Sequence, residues 1–366
     1  MLLSIISSSL YYNTVLVDTQ AYVPSVYYMQ DKQLQDDDVV RVTESYAFKR
    51  PVEILFATLL EPFIGVRQSY SLMNVFIVIT TTFLVYFYAK KLLKEEATAY
   101  ISAVLFAVSL PIILYATRVL VDVAGYLILI FGLLAGEWVF DKKEIQWYHH
   151  ACIALLFGVS LLVRDTVIIL FPYYIMRYVY KEGFRKIFSL WPLVCAIIPQ
   201  LLFMWWFQVG FLLSGKSSAI TAGKYSLLGW LKFFIVHIAA FHILYVFAYL
   251  GLRNETKEIC IKHGMYAISA LTYLVGIQLV ALTSPRFSMV LFPVLIPLAA
   301  VGIVHIAKKT SRQNTILLLC ILVYALISFL GAWLYPAHTM IAEDAGGNVV
   351  IQAIINEIQH KIGGLL

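Results

Sequence analysis

Between residues 70 and 335 the chain is a succession of ten apolar runs joined by turns, and every second turn is basic. A run of about 20 apolar residues has one stable home, the hydrocarbon core of a bilayer, where the backbone must satisfy its own N–H and C=O groups as a helix. The runs lie at 70–89, 97–117, 122–140, 149–163, 166–180, 187–212, 227–252, 264–284, 287–306 and 314–335. They are continuous rather than alternating, which argues against a membrane β-barrel. Residues 1–17 (MLLSIISSSLYYNTVLV) are apolar but short. With no basic n-region and no small-residue cleavage site, they read as a first helix, short or clipped at its start, rather than a cleaved signal peptide. The expected fold class is all-α: a polytopic membrane helix bundle of about 11 transmembrane helices.

Composition agrees. The chain is 61% hydrophobic and 13% charged, against about 45–50% and about 25% in water-soluble domains. That excludes a soluble enzyme, a disordered chain and a nucleic-acid-binding domain. The net charge of +6 follows from the turns: Lys90-Lys91 with Lys94; Lys142-Lys143; Lys181 with Arg185-Lys186; Arg253 with Lys257 and Lys262; Lys308-Lys309 with Arg312. The positive-inside rule places all five in the cytoplasm of a multi-pass plasma (cytoplasmic) membrane protein, with its N-terminus inside and its C-terminus outside. Residues 18–67 then form a long first extracytoplasmic loop, whose amphipathic stretch VEILFATLLEPFIG is expected to lie on the membrane surface. Residues 209–226 and the tail 336–366 fall on the same outer side, leaving 1–335 as one membrane domain. Cys152, Cys195, Cys260 and Cys320 lack metal-ligand or disulfide spacing and read as small buried hydrophobes.

The informative residues are charges at the outer ends of spans. A charge in a helix centre costs about 2.5–3.5 kcal/mol on insertion scales, so charges near lipid line polar cavities and find partners. On this topology Asp18, Arg118, Asp122, Arg164, Asp165 and Arg286 fall near outer helix ends, and Arg50, Lys216 and Lys224 in outer loops. A carboxylate there can take a proton from an acceptor, and guanidinium or ammonium groups can hold a phosphate leaving group. Phosphate at headgroup depth is lipid phosphate, so the pattern suits group transfer from a lipid-linked donor. Each residue also has a plainer reading. Asp18 would be a solvated helix end, Asp122 a carboxylate favoured by a helix dipole, and Arg164-Asp165 an ion-paired turn. Arg286 would snorkel to headgroups, and Arg50 would be an ordinary loop base.

Several segments resemble a known family. Asp18-Thr19-Gln20-Ala21-Tyr22, followed by a polar loop, Lys49-Arg50-Pro51 and a surface helix ending Phe63-Ile64-Gly65, is similar to the opening of the GT-C glycosyltransferases. The likeness is to the protein O-mannosyltransferase and aminoarabinose-transferase type. It continues through Leu84-Val85-Tyr86 to Lys90-Lys91-Leu92, Pro111 to Arg118 and Asp122, and Gly158 to Leu161-Leu162-Val163-Arg164. It ends with Pro285-Arg286-Phe287, Leu291-Phe292-Pro293 and Pro297-Leu298-Ala299-Ala300, so it covers roughly residues 11–335.

The resemblance implies a GT-C-like fold and a membrane glycosyltransferase. Such an enzyme moves a sugar, with inversion, from a polyprenyl- or dolichyl-phosphate carrier to an extracytoplasmic protein, lipid or glycan. It implies Asp18 as catalytic base with Asp122 as a second acidic site residue. Arg50, Arg118, Arg164 and Arg286 become donor-phosphate ligands, and Tyr22, Lys216 and Lys224 become candidates for the acceptor or sugar pocket. Thr19 stands where the family often has Glu, which weakens any role for paired carboxylates or a metal they would hold. Asp36-Asp37-Asp38 are consecutive and do not converge, so no cofactor is assigned and a divalent metal is the disfavoured option. His237 and His242, five apart, read as packing residues, and Trp205-Trp206 as part of an aromatic belt. Two other classes stay open: a transporter or flippase of lipid-linked glycans, and a non-catalytic relative with the same fold.

Overall fold

The structure, a computed structural model, describes residues 19–30, 51–116, 122–207, 227–280 and 285–334. Their regular structure is helical, joined by short turns: α1 (Thr19–Met29), α2 (Pro51–Ile64), α3 (Val66–Leu93), α4 (Glu96–Ala107), α5 (Leu110–Tyr115), α6 (Asp122–Phe140), α7 (Trp147–Leu161), α8 (Leu170–Glu182), α9 (Ile197–Phe207), α10 (Leu227–Phe241), α11 (Leu244–Leu252), α12 (Lys257–Val280), α13 (Pro285–Ser288), α14 (Phe292–Lys308) and α15 (Gln313–Leu334). Short 3-10 helices at Asp165–Ile169 and Met289–Leu291 lead into α8 and α14, and a longer one at Phe184–Ala196 leads into α9.

Helices occupy each of the ten expected ranges beyond residue 70, but they are not ten equal spans. Among the described residues, five helical segments are long and apolar enough to cross a bilayer, or six if the bent pair α10–α11 counts as one. The breaks have causes. The run 97–117 divides at Ser109, with Pro111 in the first turn of α5, where its missing N–H costs nothing. The run 227–252 bends by 79° between α10 and α11. His242, at the bend, has a φ of 34°, a left-handed backbone that a residue other than glycine adopts only under constraint. Helix α7, with 15 residues, is ~22 Å long at 1.5 Å per residue, short of the ~30 Å hydrocarbon thickness. The expected first helix, the loop residues 31–50 and the tail 336–366 lie outside the described residues; the expected surface stretch is the helix α2.

Helix α14 is the hub. In its most apolar window 72% of residues are buried, against 17% in α15, which presents Leu318, Leu319, Leu322 and Leu326 outward. α14 packs on α4, α11 and α15. Its contact with α11 is intimate because two glycines face it: a Cβ on Gly251 would stand 1.8 Å from the Leu298 carbonyl oxygen, and one on Gly302 2.1 Å from that of Phe247. Lipid supplies no hydrophobic force between helices, so close approach over small residues is what binds them. The four cysteines are free thiols, but none is buried: Cys152 is exposed and the others are partly so, which corrects their reading as buried hydrophobes.

The five basic connections gather at one end of the bundle. Lys91 pairs with Asp141, and Lys308 with Glu95 at 2.6 Å. Lys181 donates to the carbonyls of Phe140 and Lys142, both at 2.6 Å, closing the C-terminus of α6. Arg253 and Asn254 share a hollow with His305 and Lys309. Helix α6 starts at Asp122 and ends beside this cluster, and its 19 residues carry the chain ~28 Å. Asp122 therefore stands at the opposite end.

Candidate functional site

At that opposite end a buried ion pair joins α6 to the turn between α7 and α8. Arg164 Nη2 donates to Asp122 Oδ1 at 2.6 Å, and Arg164 Nε lies 3.5 Å from Asp165 Oδ1. Arg164 and Asp122 are both almost wholly buried. The local sequence explains how. Arg164 ends α7's turn in an extended conformation (φ −155°, ψ 136°), with its N–H held by the Ser160 carbonyl. The missing side chain at Gly125 then clears a path for its stem: a Cβ there would lie 2.7 Å from Arg164 Cγ and 3.0 Å from its Cβ. Gly125 is one turn below Asp122 on the same helix face, so the arginine lies across α6 and delivers its guanidinium to the carboxylate. Asp122 is also the first residue of its helix, where the dipole favours a negative charge.

Other polar groups are buried toward the same end. Ser69, Tyr70 and Asn74 occupy the first turns of α3, whose far end carries Lys90 and Lys91; all three are 0% exposed. Glu53 on α2, packed against α3, is 1% exposed. Buried polar and charged side chains in a membrane bundle mark a site or pathway more often than a packing surface. A carboxylate beside a guanidinium can exchange partners: the base can turn to an arriving phosphate, for which its planar fork is suited.

Of the site residues expected from sequence, the structure brings together Asp122 and Arg164. Arg286 lies in α13, against α5 and α10, and Tyr22 lies in α1; their backbones are described and their side chains are not. Asp18, Arg50, Arg118, Lys216 and Lys224 lie outside the described residues, as does the Asp36-Asp37-Asp38 run. Among the described residues no cluster of three His, Cys, Asp or Glu side chains is placed to hold a metal. His237 and His242 are packing residues, hydrogen-bonded to Ser288 and Ser328. Trp205 and Trp206 are 74% and 73% exposed, as belt residues would be.

One buried charge cluster escaped the sequence reading. Glu137 on α6 accepts two hydrogen bonds from Arg177 Nη2, at 2.9 and 3.0 Å, one from Arg177 Nε at 3.1 Å, and one from the Tyr173 hydroxyl at 2.8 Å. It lies near the basic end, remote from Asp122. The signal was available: a Glu inside DVAGYLILIFGLLAGEWVF and an Arg inside LFPYYIMRYVYKE each need a partner in an apolar helix.

The family model described as dolichyl-phosphate-mannose-protein mannosyltransferase matches residues 54–207, which include Asp122, Arg164 and Glu137. The fold is similar to that of ArnT from Cupriavidus metallidurans bound to undecaprenyl phosphate (TM-score 0.61, 10% identity, covering 94% of this chain and 76% of that one). It is equally similar to the same protein in the apo state (TM-score 0.60, 11% identity, 93% and 75%). No curated protein matches the sequence. The chain thus shares the membrane fold of these two structures, at an identity that shows the fold alone.

Proposed function

We propose that the protein is a membrane glycosyltransferase that moves a sugar from a polyprenyl-phosphate carrier to an acceptor outside the cytoplasm. The observation that carries this reading is the buried Asp122–Arg164 pair at the end of the bundle away from the basic connections, in a fold shared over 94% of the chain with a protein bound to undecaprenyl phosphate. The basic end is then cytoplasmic and the site faces outward. The bundle has eleven spans in this reading, N-terminus inside and C-terminus outside.

In the proposed reaction the carrier's isoprenoid lies between helices and its phosphate meets Arg50, Arg164 and the other outer bases. Asp18 accepts the proton of the acceptor's O–H or N–H while that atom bonds to the anomeric carbon from the face opposite the phosphate. The carbon–oxygen bond to phosphate breaks with its electron pair, and polyprenyl phosphate leaves with its added charge held by guanidinium groups. Asp122 holds Arg164 in place until the donor phosphate arrives. The test uses purified protein with a synthetic polyprenyl-phosphate sugar, following released polyprenyl phosphate. Release is expected from the wild type and not from a folded Asp18→Asn variant. Wild-type turnover by that variant removes Asp18 from the role of base. Transport of the intact lipid-linked sugar without its cleavage replaces the enzyme reading with that of a carrier.

A further inference from the structure

At the basic end, the last turns of α11 and α14 border a half-open cavity of about 340 Å³ lined by Leu250, Arg253, Asn254, His305, Ile306 and Lys309. The lining contains an arginine, a lysine, an imidazole and an amide, and no carboxylate. Five lysines at this end are matched with acids: Lys90 with Glu96 at 3.3 Å, Lys91 with Asp141, Lys186 with Glu182 at 2.7 Å, Lys262 with Glu258 at 2.9 Å, and Lys308 with Glu95 at 2.6 Å; others, such as Lys94, Lys143 and Arg312, are not among the described residues, so it is the convergence of its bases that sets the cavity apart. Arg253, His305 and Lys309 have no acid within ion-pair distance among the described residues. Arg253 and Lys309 follow helix C-termini, where a cation complements the dipole. That accounts for each base singly, but not for their meeting with His305 around one hollow.

The surroundings are amphiphilic. Leu250 and Ile306 form an apolar wall. Beside it, on the same face of α11, Val246 and Tyr249 are 57% and 58% exposed, a surface suited to acyl chains. The Arg253 guanidinium lies over the Tyr249 ring, 5.9 Å from its centre, where it follows the boundary between headgroup and hydrocarbon.

We propose that this cavity binds the phosphate diester of an anionic glycerophospholipid, its head held by Arg253, His305, Lys309 and Asn254 and its chains lying along α11. Basic pockets between membrane helices suit such headgroups. The site is distinct from the Asp122–Arg164 end and stands whether or not the protein transfers sugars.

The test is native mass spectrometry of the delipidated protein in detergent, titrated with dioleoyl phosphatidylglycerol, dioleoyl phosphatidylcholine or inorganic phosphate. Unfolding temperature is followed in parallel. Wild type should retain phosphatidylglycerol in preference to phosphatidylcholine. Arg253→Gln/Lys309→Gln should bind it roughly tenfold more weakly, while Lys142→Gln/Lys143→Gln, which removes two bases away from the cavity, should not. Equal retention by the two double variants, or no preference between the lipids, overturns the proposal. Stabilisation by inorganic phosphate equal to that by phosphatidylglycerol overturns the lipid assignment in favour of free phosphate. If the cavity variant fails to fold without lipid, His305→Gln carries the test, with weakened retention expected and unchanged retention overturning the site.

Discussion

Arg164 Nη2 stands 2.6 Å from Asp122 Oδ1, and the two side chains, 42 residues apart in sequence, are only 4% and 3% exposed. Removing one partner leaves the other charged and buried, which costs about 3–5 kcal/mol, whereas replacing both by apolar groups of similar volume often costs little. Asp122→Ala and Arg164→Met should therefore each lower the unfolding temperature sharply. Asp122→Leu/Arg164→Met should recover most of that loss while remaining inactive in the transfer assay. A double variant as unstable as the singles would mean that the pair owes its stability to other partners; one that is stable and active would remove the pair from the site.

The glycine contact between α11 and α14 makes a separate prediction about assembly. Gly251→Ala places a methyl group 1.8 Å from the Leu298 carbonyl oxygen, a backbone atom that cannot swing away, so the helices must separate. Overpacking of this kind costs about 1–3 kcal/mol or more. The control is Gly264→Ala in α12, where a Cβ meets nothing within 4 Å, and the gain in helix propensity is up to ~1 kcal/mol. Thermal unfolding in detergent should fall for the first variant and hold or rise for the second.

Glu137 and Arg177 should behave as a structural pair. Arg177 reaches both oxygens of Glu137, and its guanidinium lies 5.0 Å from the centre of the Phe140 ring. A lysine cannot reproduce that fork, so Arg177→Lys is not conservative here and should destabilise by about 1–3 kcal/mol. Because the pair sits at the end away from Asp122, turnover per folded molecule should stay near wild type. A large fall in turnover with stability preserved would place the Glu137–Arg177 pair in the mechanism.

What was legible in the sequence was what is local. The length of each apolar run and the alternation of basic turns fixed where helices fall, and the five basic connections do meet at one end. Kinks were not legible. The break at His242 and the 3-10 path through Phe184–Ala196 answer to packing by distant helices, and they turn a sequence with ten similar runs into five or six clear spans. For the site, the sequence placed Asp122 and Arg164 near the same membrane face and offered Asp165 as the arginine's natural partner. The structure adds Asp122 as the closer one, a choice set by the empty space at Gly125 that no motif announces. Glu137 and Arg177 stand inside apolar helices rather than at span ends, where no turn or motif marks them, although an acid within an apolar helix demands a base just as firmly.

The tie between Glu95 and Lys308 predicts a pH dependence. It joins the start of α4 to the end of α14, 213 residues apart, across the basic end. Burial pushes the Glu95 carboxyl up, but hydrogen bonds from Lys308 and Thr98 outweigh it and hold the group below its ordinary value. A carboxyl depressed in the folded state contributes stability that is present above its unfolded value, about 4.3, and lost as pH falls through the folded value. The pair is part-exposed, with side chains 38% and 57% accessible, so its worth is at most about 1 kcal/mol. Wild type should therefore unfold at a slightly higher temperature than Glu95→Gln at pH 7, and the gap should close on acidification below about pH 4. Raising the salt concentration at pH 7 should also narrow it, because exposed charges are screened. A gap that persists unchanged at low pH would show that Glu95 acts by packing rather than by charge.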